Sequence, residues 1–297
     1  MTEFLQQLIN GLSLGAIYAL IALGYTMVYG VLRFINFAHS DVFMMGAFAG
    51  FYLSNYVPHE SIGGGLLVLT MAMLICAVLG IVIERFAYRP LRGGSNLNVL
   101  ITAIGVSLLL ENAGQFFFGP NTKPFPNLFP ARNLNLSGGL VLSSNQLAVF
   151  IVTIILLLAL HYIVMRTKIG TAMRALSFNR TAASLVGINN DIVISFTFGL
   201  GSALAAAGGV LYSMNYPAID PLMGVLPGLK AFVAAVLGGI GNIPGAALGG
   251  LLLGIIETFV NASPWSTYTD AIAFTLLILI LLFRPAGLLG KLQVEKV

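Results

Sequence analysis

Leu147–Met165, LAVFIVTIILLLALHYIVM, is 19 residues long and carries no charge. A helix rising ~1.5 Å per residue needs about that many residues to cross the ~30 Å hydrocarbon core of a bilayer. Two further uncharged windows, Leu66–Ile83 and Ile192–Met214, have 18 and 23 residues. Only 8% of the 297 residues are charged and 58% are hydrophobic, whereas a soluble domain keeps roughly 25% charged. The chain is therefore read as an integral membrane protein. Its apolar runs are continuous, so the spans are helices; barrel strands would alternate over ~10 residues. Glu3 stands where a secretory signal would carry basic residues, and the first apolar run outlasts a signal's core. The first span is expected to stay in the mature protein.

Working outward from that window, apolar runs fall near residues 7–32, 41–57, 64–84, 97–118, 146–165, 191–214, 225–240, 245–261 and 267–283. The pattern predicts an all-α polytopic bundle of eight or nine spans, some short or broken, forming a single transmembrane domain over residues 1–297. Eleven of the fourteen basic residues share one side if the connections holding Arg33, then Arg85, Arg89 and Arg92, then residues 166–190, and the tail with Arg284, Lys291 and Lys296 are cytoplasmic. Lys123, Arg132 and Lys230 remain outside or near the outer face. The excess of basic residues on inner loops then puts the N-terminus outside and the C-terminus inside. The net charge of +4 reports this topology, and nucleic-acid binding has no support. Gly119–Ser144, with five Pro or Gly residues in its first half and Gly138–Gly139 later, is expected to be an outer cap or loop. Cys76, the one cysteine, lies in an apolar window and reads as core packing without disulfide or metal.

Two places interrupt simple spans. Arg33-Phe34-Ile35-Asn36-Phe37-Ala38-His39-Ser40-Asp41 sets polar groups between spans one and two with almost no loop. Leu237-Gly238-Gly239-Ile240-Gly241-Asn242-Ile243-Pro244-Gly245 divides a hydrophobic region into two pieces too short for a full crossing. Backbone that leaves the helix at bilayer depth must be surrounded by protein or water, and short glycine-broken helices point to transport pathways. A tight cytoplasmic hairpin between tilted helices accounts for residues 237–245 equally well. Glycines at small-xxx-small spacing, Gly11/Gly15, Gly46/Gly50, Gly245/Gly249 and Gly250/Gly254, let backbones approach closely and are read mainly as intrachain packing.

No catalytic constellation is present. His39, His59 and His161 lack metalloprotease spacing, no G-x-S-x-G turn occurs, and no lysine sits in a phosphate loop. The chain is read as non-catalytic, with no metal or cofactor of its own; any ATP and Mg would be handled by another subunit. Ionisable and polar groups at membrane depth are costly and so are functional candidates. Asn36, His39 and Asp41 cluster at the first break, with helix capping by Ser40 or Asp41 as the alternative. Glu111 and Asn112 lie well inside span four, where an interhelical hydrogen bond serves equally as an explanation. Asn242 joins them as a candidate for a translocation pathway. Snorkelling accounts for Lys230 and Glu257 near outer ends, and a solvated Glu84–Arg85 pair at the inner surface ends span three.

Within 166–190, RTKIGTAMRALSFNRTAASLVGINN, the four cations Arg166, Lys168, Arg174 and Arg180 mark the cytoplasmic side. Thr181-Ala182-Ala183 followed by Gly187 resembles the EAA-x-x-x-G signature with which ABC-importer permeases dock their ATPases, with Thr181 where Glu is usual. A helix ending in glycine is also an ordinary surface turn. Longer stretches decide the matter. Asn10-Gly11, Leu14-Gly15, Tyr18 to Gly30, Ile35-Asn36-Phe37-Ala38-His39, Glu84-Arg85 with Ala87 to Arg92, Leu185 to Asn189, Lys230 to Ala246 and the closing Glu295-Lys296-Val297 together resemble the LivH-type permeases of bacterial branched-chain amino-acid ABC importers. Ser40 departs from the glycine common after that histidine, and Thr181 departs from the docking signature.

The resemblance implies a type-II-like importer permease of the bacterial inner membrane. It would work with a paralogous permease of the LivM type or a second copy of itself, two ATPase subunits and a periplasmic binding protein that delivers a branched-chain amino acid. Arg174, Thr181, Ala182, Ala183 and Gly187 would then couple to the ATPases. The same machine carrying urea, amides or other neutral amino acids is a close variant, and a proton-coupled carrier using Asp41 and Glu111 is the reading from another class.

Overall fold

The computed structural model describes residues 2–92, 94–130, 133–136 and 139–290. Arg132, Gly138, Lys291, Lys296 and the closing Glu295-Lys296-Val297 lie outside the described residues. The chain forms α1 (Thr2–Leu32), α2 (His39–Ser54), α3 (Ile62–Ile83), α4 (Asn96–Phe118), α5 (Ser144–Arg166), α6 (Lys168–Phe178), α7 (Arg180–Leu185), α8 (Asn190–Asn215), α9 (Val225–Gly238), α10 (Ile243–Asn261) and α11 (Thr269–Phe283). Seven helices are long and apolar enough to cross a membrane, and Val225–Gly238 is a shorter apolar one. With the 16-residue α2, the sequence's nine apolar runs all become helices, and the molecule is an all-helical polytopic bundle. Among the described residues short strands occur only in connections: β1 (Lys123–Pro124) pairs with β4 (Ala218–Ile219), and β2 (Asn133–Leu136) with β3 (Leu140–Ser143).

Helix α1 is the axis of the bundle. It is 94% buried over its most apolar window, against 28% for α3, α4 and α5 and 11% for α11. The peripheral helices expose Leu, Ile, Val and Phe, as a face turned to lipid requires. Apolar burial alone gives helices little reason to associate in lipid, so small residues decide who packs where. A Cβ on Gly11 would lie 2.8 Å from Ile255 Cα and one on Gly15 2.7 Å from Leu251 Cα, so α10 crosses α1 in backbone contact. Gly250 and Gly254 meet Ala19 and Gly15 from the other side of that crossing, Gly46 and Gly50 meet Ala206 and Val210 of α8, and Gly245 and Gly249 meet Gly238 and Ala234 of α9. All four glycine pairs pack within the chain.

The two ends of the bundle separate by chemistry. At one end Gln6 donates to Val141 O (3.0 Å), Gln146 to Asn10 Oδ1 (2.8 Å) and Asn145 to Met214 O (2.9 Å). At the other, Arg33 donates to Ser177 O (3.2 Å), Arg180 to Leu32 O (2.6 Å), and Leu288 N to Leu237 O (2.8 Å). Arg85, Arg89, Arg92, Arg166, Lys168, Arg174 and Arg284 share this second, basic end.

The 237–245 region is a hairpin at the basic end: Gly239–Asn242 turns between α9 and α10 beside Gly30. The break inside the bundle lies elsewhere. Helix α2 starts where His39 Nε2 bonds Ile21 O at 3.2 Å, about 16 Å along α1 from its C-terminal residue at ~1.5 Å per residue. Helix α9 starts against it, with Gly224 and Gly228 packed on Ser40. Two half-length helices thus begin together inside the bundle, reached by non-helical backbone at 33–38 and 216–224, of which Asn36, Ala38, Ile219, Pro221, Met223 and Gly224 are buried while Arg33, Tyr216, Pro217 and Ala218 are exposed.

Candidate functional site

The segment 166–190 folds into two short helices with fixed corners. Thr167 Oγ1 accepts from Gly170 N (3.2 Å), Asn179 Oδ1 from Ala182 N (2.9 Å), and Asn189 Oδ1 from Asp191 N and Ile192 N (3.1 and 3.2 Å). Each satisfies donors that a helix start leaves free. Gly187, at φ +87°, turns the chain out of α7, a conformation that favours glycine. Three guanidiniums seat the segment on the bundle: Arg180 on Leu32 O, Arg33 on Ser177 O, and Arg174 on Val164 O at 2.7 Å. Arg180 and Arg174 thereby cap the carboxyl ends of α1 and α5, where the helix dipole favours cations. Burial, and then the like charge of Arg33, pull the Arg180 guanidinium below its usual pKa.

Of the coupling candidates, Thr181, Ala182 and Gly187 are exposed, Arg174 spends its side chain partly on α5, and Ala183 is buried against the bundle. The outward surface carries side chains that sequence reasoning passed over: Phe178 is 89% exposed, Leu185 83% and Val186 76%. Their signal was apolar residues standing within a basic, polar segment.

Immediately after this platform, Asp191 in the first turn of α8 is paired with Arg89 and with Arg92 (2.7 Å). Arg92 also pairs with Glu84, which accepts from Ser195 Oγ. Glu84 is fully buried and opens a π-helical turn, Glu84–Tyr88. The expected solvated Glu84–Arg85 pair is thus corrected: the wider π turn carries the chain from α3 so that Arg92, not Arg85, meets Glu84 beneath α8. π turns of this kind recur at functional sites.

The structure brings Asn36, His39 and Asp41 together at the start of α2. Tyr88 donates its hydroxyl to Asn36 Oδ1 at 2.6 Å, and His39 contacts Ile21 O. The capping alternative is overturned, since the residue preceding α2 is Ala38 in helical backbone with no side-chain cap, and Ser40 donates backwards to Phe37 O at 2.9 Å. Asp41 is 1% exposed and faces Ser107 and Glu111 of α4. Its Oδ2 has no hydrogen-bond partner among the described residues.

Glu111 is half-buried at that contact, whereas Asn112 is exposed on the outer face of α4 and donates to Leu108 O at 2.7 Å. Asn242 is not part of this cluster. It caps α10, accepting from Gly245 N (3.2 Å) and donating to Leu289 O (2.7 Å) at the basic end, so its polarity is accounted for by the turn.

Lys230 and Glu257 are also corrected. Neither snorkels: they are 7% and 8% exposed and form an ion pair at 2.6 Å. Lys230 also meets Asp270 at 2.7 Å, and Tyr18 donates to Glu257 Oε2 at 2.8 Å. The group joins α1, α9, α10 and α11 inside the bundle. Opposite charges in neighbouring apolar windows were its sequence signal. Among the described residues no group of three His, Cys, Asp or Glu is placed to hold a metal ion.

Residues 7–281 match the family model described as branched-chain amino acid transport system / permease component. The chain is 45% identical to the high-affinity branched-chain amino acid transport system permease protein BraD of Pseudomonas aeruginosa, over 99% of this chain and 98% of that one. It is 44% identical to the corresponding protein LivH of Escherichia coli K12, with the same shares covered. These likenesses run the length of the helical bundle, through the 166–190 segment, the first break and the buried ion pair alike, and the chain belongs to the family of permease components of branched-chain amino acid transport systems.

Proposed function

We propose that this multi-pass membrane protein is one of two permease chains in an ATP-driven importer of the bacterial inner membrane, carrying branched-chain amino acids handed over by a periplasmic binding protein. The observation that carries the proposal is the platform of α6 and α7, which presents Phe178, Leu185 and Val186 to solvent from a base held by three arginines. Large apolar side chains held out to solvent on a basic, polar segment mark a protein contact. An ATPase subunit gripping it, around Arg174, Thr181, Ala182 and Gly187 and with Ala183 supporting from behind, moves the ends of α5 and α8. The Asp191–Arg92–Glu84 chain carries that movement on to the end of α3. ATP and Mg are bound by the ATPases, the basic end faces the cytoplasm with the C-terminus, and the N-terminus is outside. Residues 1–297 act as a single transmembrane domain.

A second permease chain, a paralogue or another copy, covers α4. Asn98, Gly105 and Asn112 recur every seven residues on its exposed side, and amide side chains at membrane depth seek protein or water in preference to lipid. The conduit runs between the two chains, near Glu111, Asp41 and the paired starts of α2 and α9. Family membership supports this machine over a proton-coupled carrier. Co-purification of the native complex with its binding protein, followed by identification of the retained small molecule, is expected to give leucine, isoleucine or valine and two ATPase subunits per permease pair. Retention of urea or a sugar, or isolation without an ATPase, overturns the proposal.

A further inference from the structure

At the basic end a cavity of about 570 Å³ opens between the carboxyl ends of α1 and α5, helix α6 and the α9–α10 turn. Arg33 and Arg174 line it, and among the described residues no carboxylate does. Arg180 lies close enough to Arg33 for their like charges to interact. Among the described residues, none of these three arginines takes part in an ion pair; the acids nearby in the fold, Glu84 and Asp191, are occupied by Arg89 and Arg92. Among the described residues these cations therefore have no carboxylate partner, and the carboxyl ends of α1 and α5 offset only part of their charge. The amino end of α10 borders it at Asn242 and Ile243, adding the positive end of a helix dipole.

The backbone singles out Arg33. It stands just past the end of α1 at φ +58°, with its N–H closing on Tyr29 O at 2.8 Å. This is the left-handed position that glycine usually fills after a helix, and a residue held there against its preference points to a use for its side chain. The guanidinium makes one hydrogen bond, to Ser177 O, and has further donors for a ligand in the cavity. The remaining wall is apolar, with Val164, Ile240, Ile243 and Pro285. A site that is basic at one side, apolar at the other, and level with the ends of membrane helices has the chemistry of an acidic lipid headgroup site.

We propose that this cavity binds the phosphate of an anionic phospholipid from the adjoining leaflet, held by Arg33 and Arg174, and that the bound lipid bridges the coupling helix α6 to the α9–α10 hairpin. The proposal rests on the cytoplasmic placement of the basic end given above. Its test reads lipid retention without transport, so it can fail while the importer reading stands. The intact transporter with its ATPases, purified in mild detergent, is titrated with phosphatidylglycerol or phosphatidylcholine, and bound lipid is counted by native mass spectrometry.

The wild type is expected to retain phosphatidylglycerol in preference. Arg33→Gly is expected to weaken that retention roughly fivefold, from about 1 kcal/mol per basic residue near a charged lipid, with little change in melting temperature, because relief of the left-handed backbone offsets the lost bond to Ser177 O. Arg174→Gln should weaken it similarly. Equal retention of the two lipids, or unchanged retention in both variants, overturns the proposal. So does displacement of the lipid by millimolar inorganic phosphate, which identifies a free-phosphate site, or lipid binding that appears only once the ATPases are stripped off, which assigns the arginines to an acidic ATPase surface.

Discussion

Lys230→Met is expected to be the most damaging conservative substitution in the membrane interior, and Glu257→Gln to be clearly milder. Both residues are nearly fully buried and meet at 2.6 Å. Removing one member of a buried pair typically costs about 3–5 kcal/mol, because it strands the other charge, against a total stability on the order of 5–15 kcal/mol. The two members are not equivalent here. Lys230 serves Glu257 and Asp270 together, so its loss leaves two carboxylates facing each other without a cation. Loss of the Glu257 charge leaves Lys230 paired with Asp270 at 2.7 Å, and the Gln amide can still accept from Tyr18.

Asp270 is half-exposed, and its replacement by Asn should cost no more than about 1 kcal/mol, as for surface pairs. Thermal melting of the purified permease is expected to rank the variants Lys230→Met, then Glu257→Gln, then Asp270→Asn, and the Lys230→Met/Glu257→Gln double variant should melt above Lys230→Met alone. A double variant that melts no higher would show that the pair is not what fixes α9 to α10.

The second large effect concerns the platform. Phe178→Asp with Leu185→Asp is expected to abolish uptake and weaken ATPase association by at least about 30-fold, the equivalent of losing one interface anchor of ~2 kcal/mol. Both side chains are more than four-fifths exposed, so assembly and melting of the membrane domain should be unchanged, as measured by size-exclusion profile and thermal scan. Uptake assays with the ATPases and binding protein supply the functional readout. Undiminished uptake would remove the platform from the coupling route. Ala183 cannot serve in this experiment, because at 3% exposure a charged replacement would break the packing of α7 before it reached a partner. Gly187 is open to solvent yet held at φ +87°, so any replacement mixes backbone strain with lost contact.

Hydropathy along the chain located every membrane helix, because length and apolar continuity are properties of a single segment. Glycine spacing foretold the contact of α10 with α1, since closely packed helices in lipid need small residues on both partners. What stayed hidden were properties of pairs. Nothing in the order of residues states that Glu84 turns inward beneath Arg92, because that depends on a π turn shifting the register by one residue. The Lys230–Glu257 pair bridges 27 positions through a hairpin, and each partner alone resembled a snorkelling side chain.

Depth was equally illegible. The glycines at 237–245 suggested broken helices, yet the short helix α9 is short because it begins late, beside Ser40, after the irregular stretch 216–224. In the candidate site, Asn36, His39 and Asp41 were legible as polar residues in an apolar setting, whereas Asn242 was polar for the local reason of capping α10. Phe178, Leu185 and Val186 were overlooked because apolar side chains ordinarily mark an interior, and only the fold shows them facing out.

Coupling to an ATPase requires α6 and α7 to face the cytoplasm. Cys76 is buried and leaves a quiet background for single cysteines at Leu185, on the platform, and at Tyr56, in the connection after α2 at the opposite end; both positions are more than 80% exposed. Intact spheroplasts treated with a membrane-impermeant maleimide should label Tyr56→Cys at once and Leu185→Cys only after permeabilisation. Labelling of Leu185→Cys from the outside, with Tyr56→Cys protected, would contradict that placement.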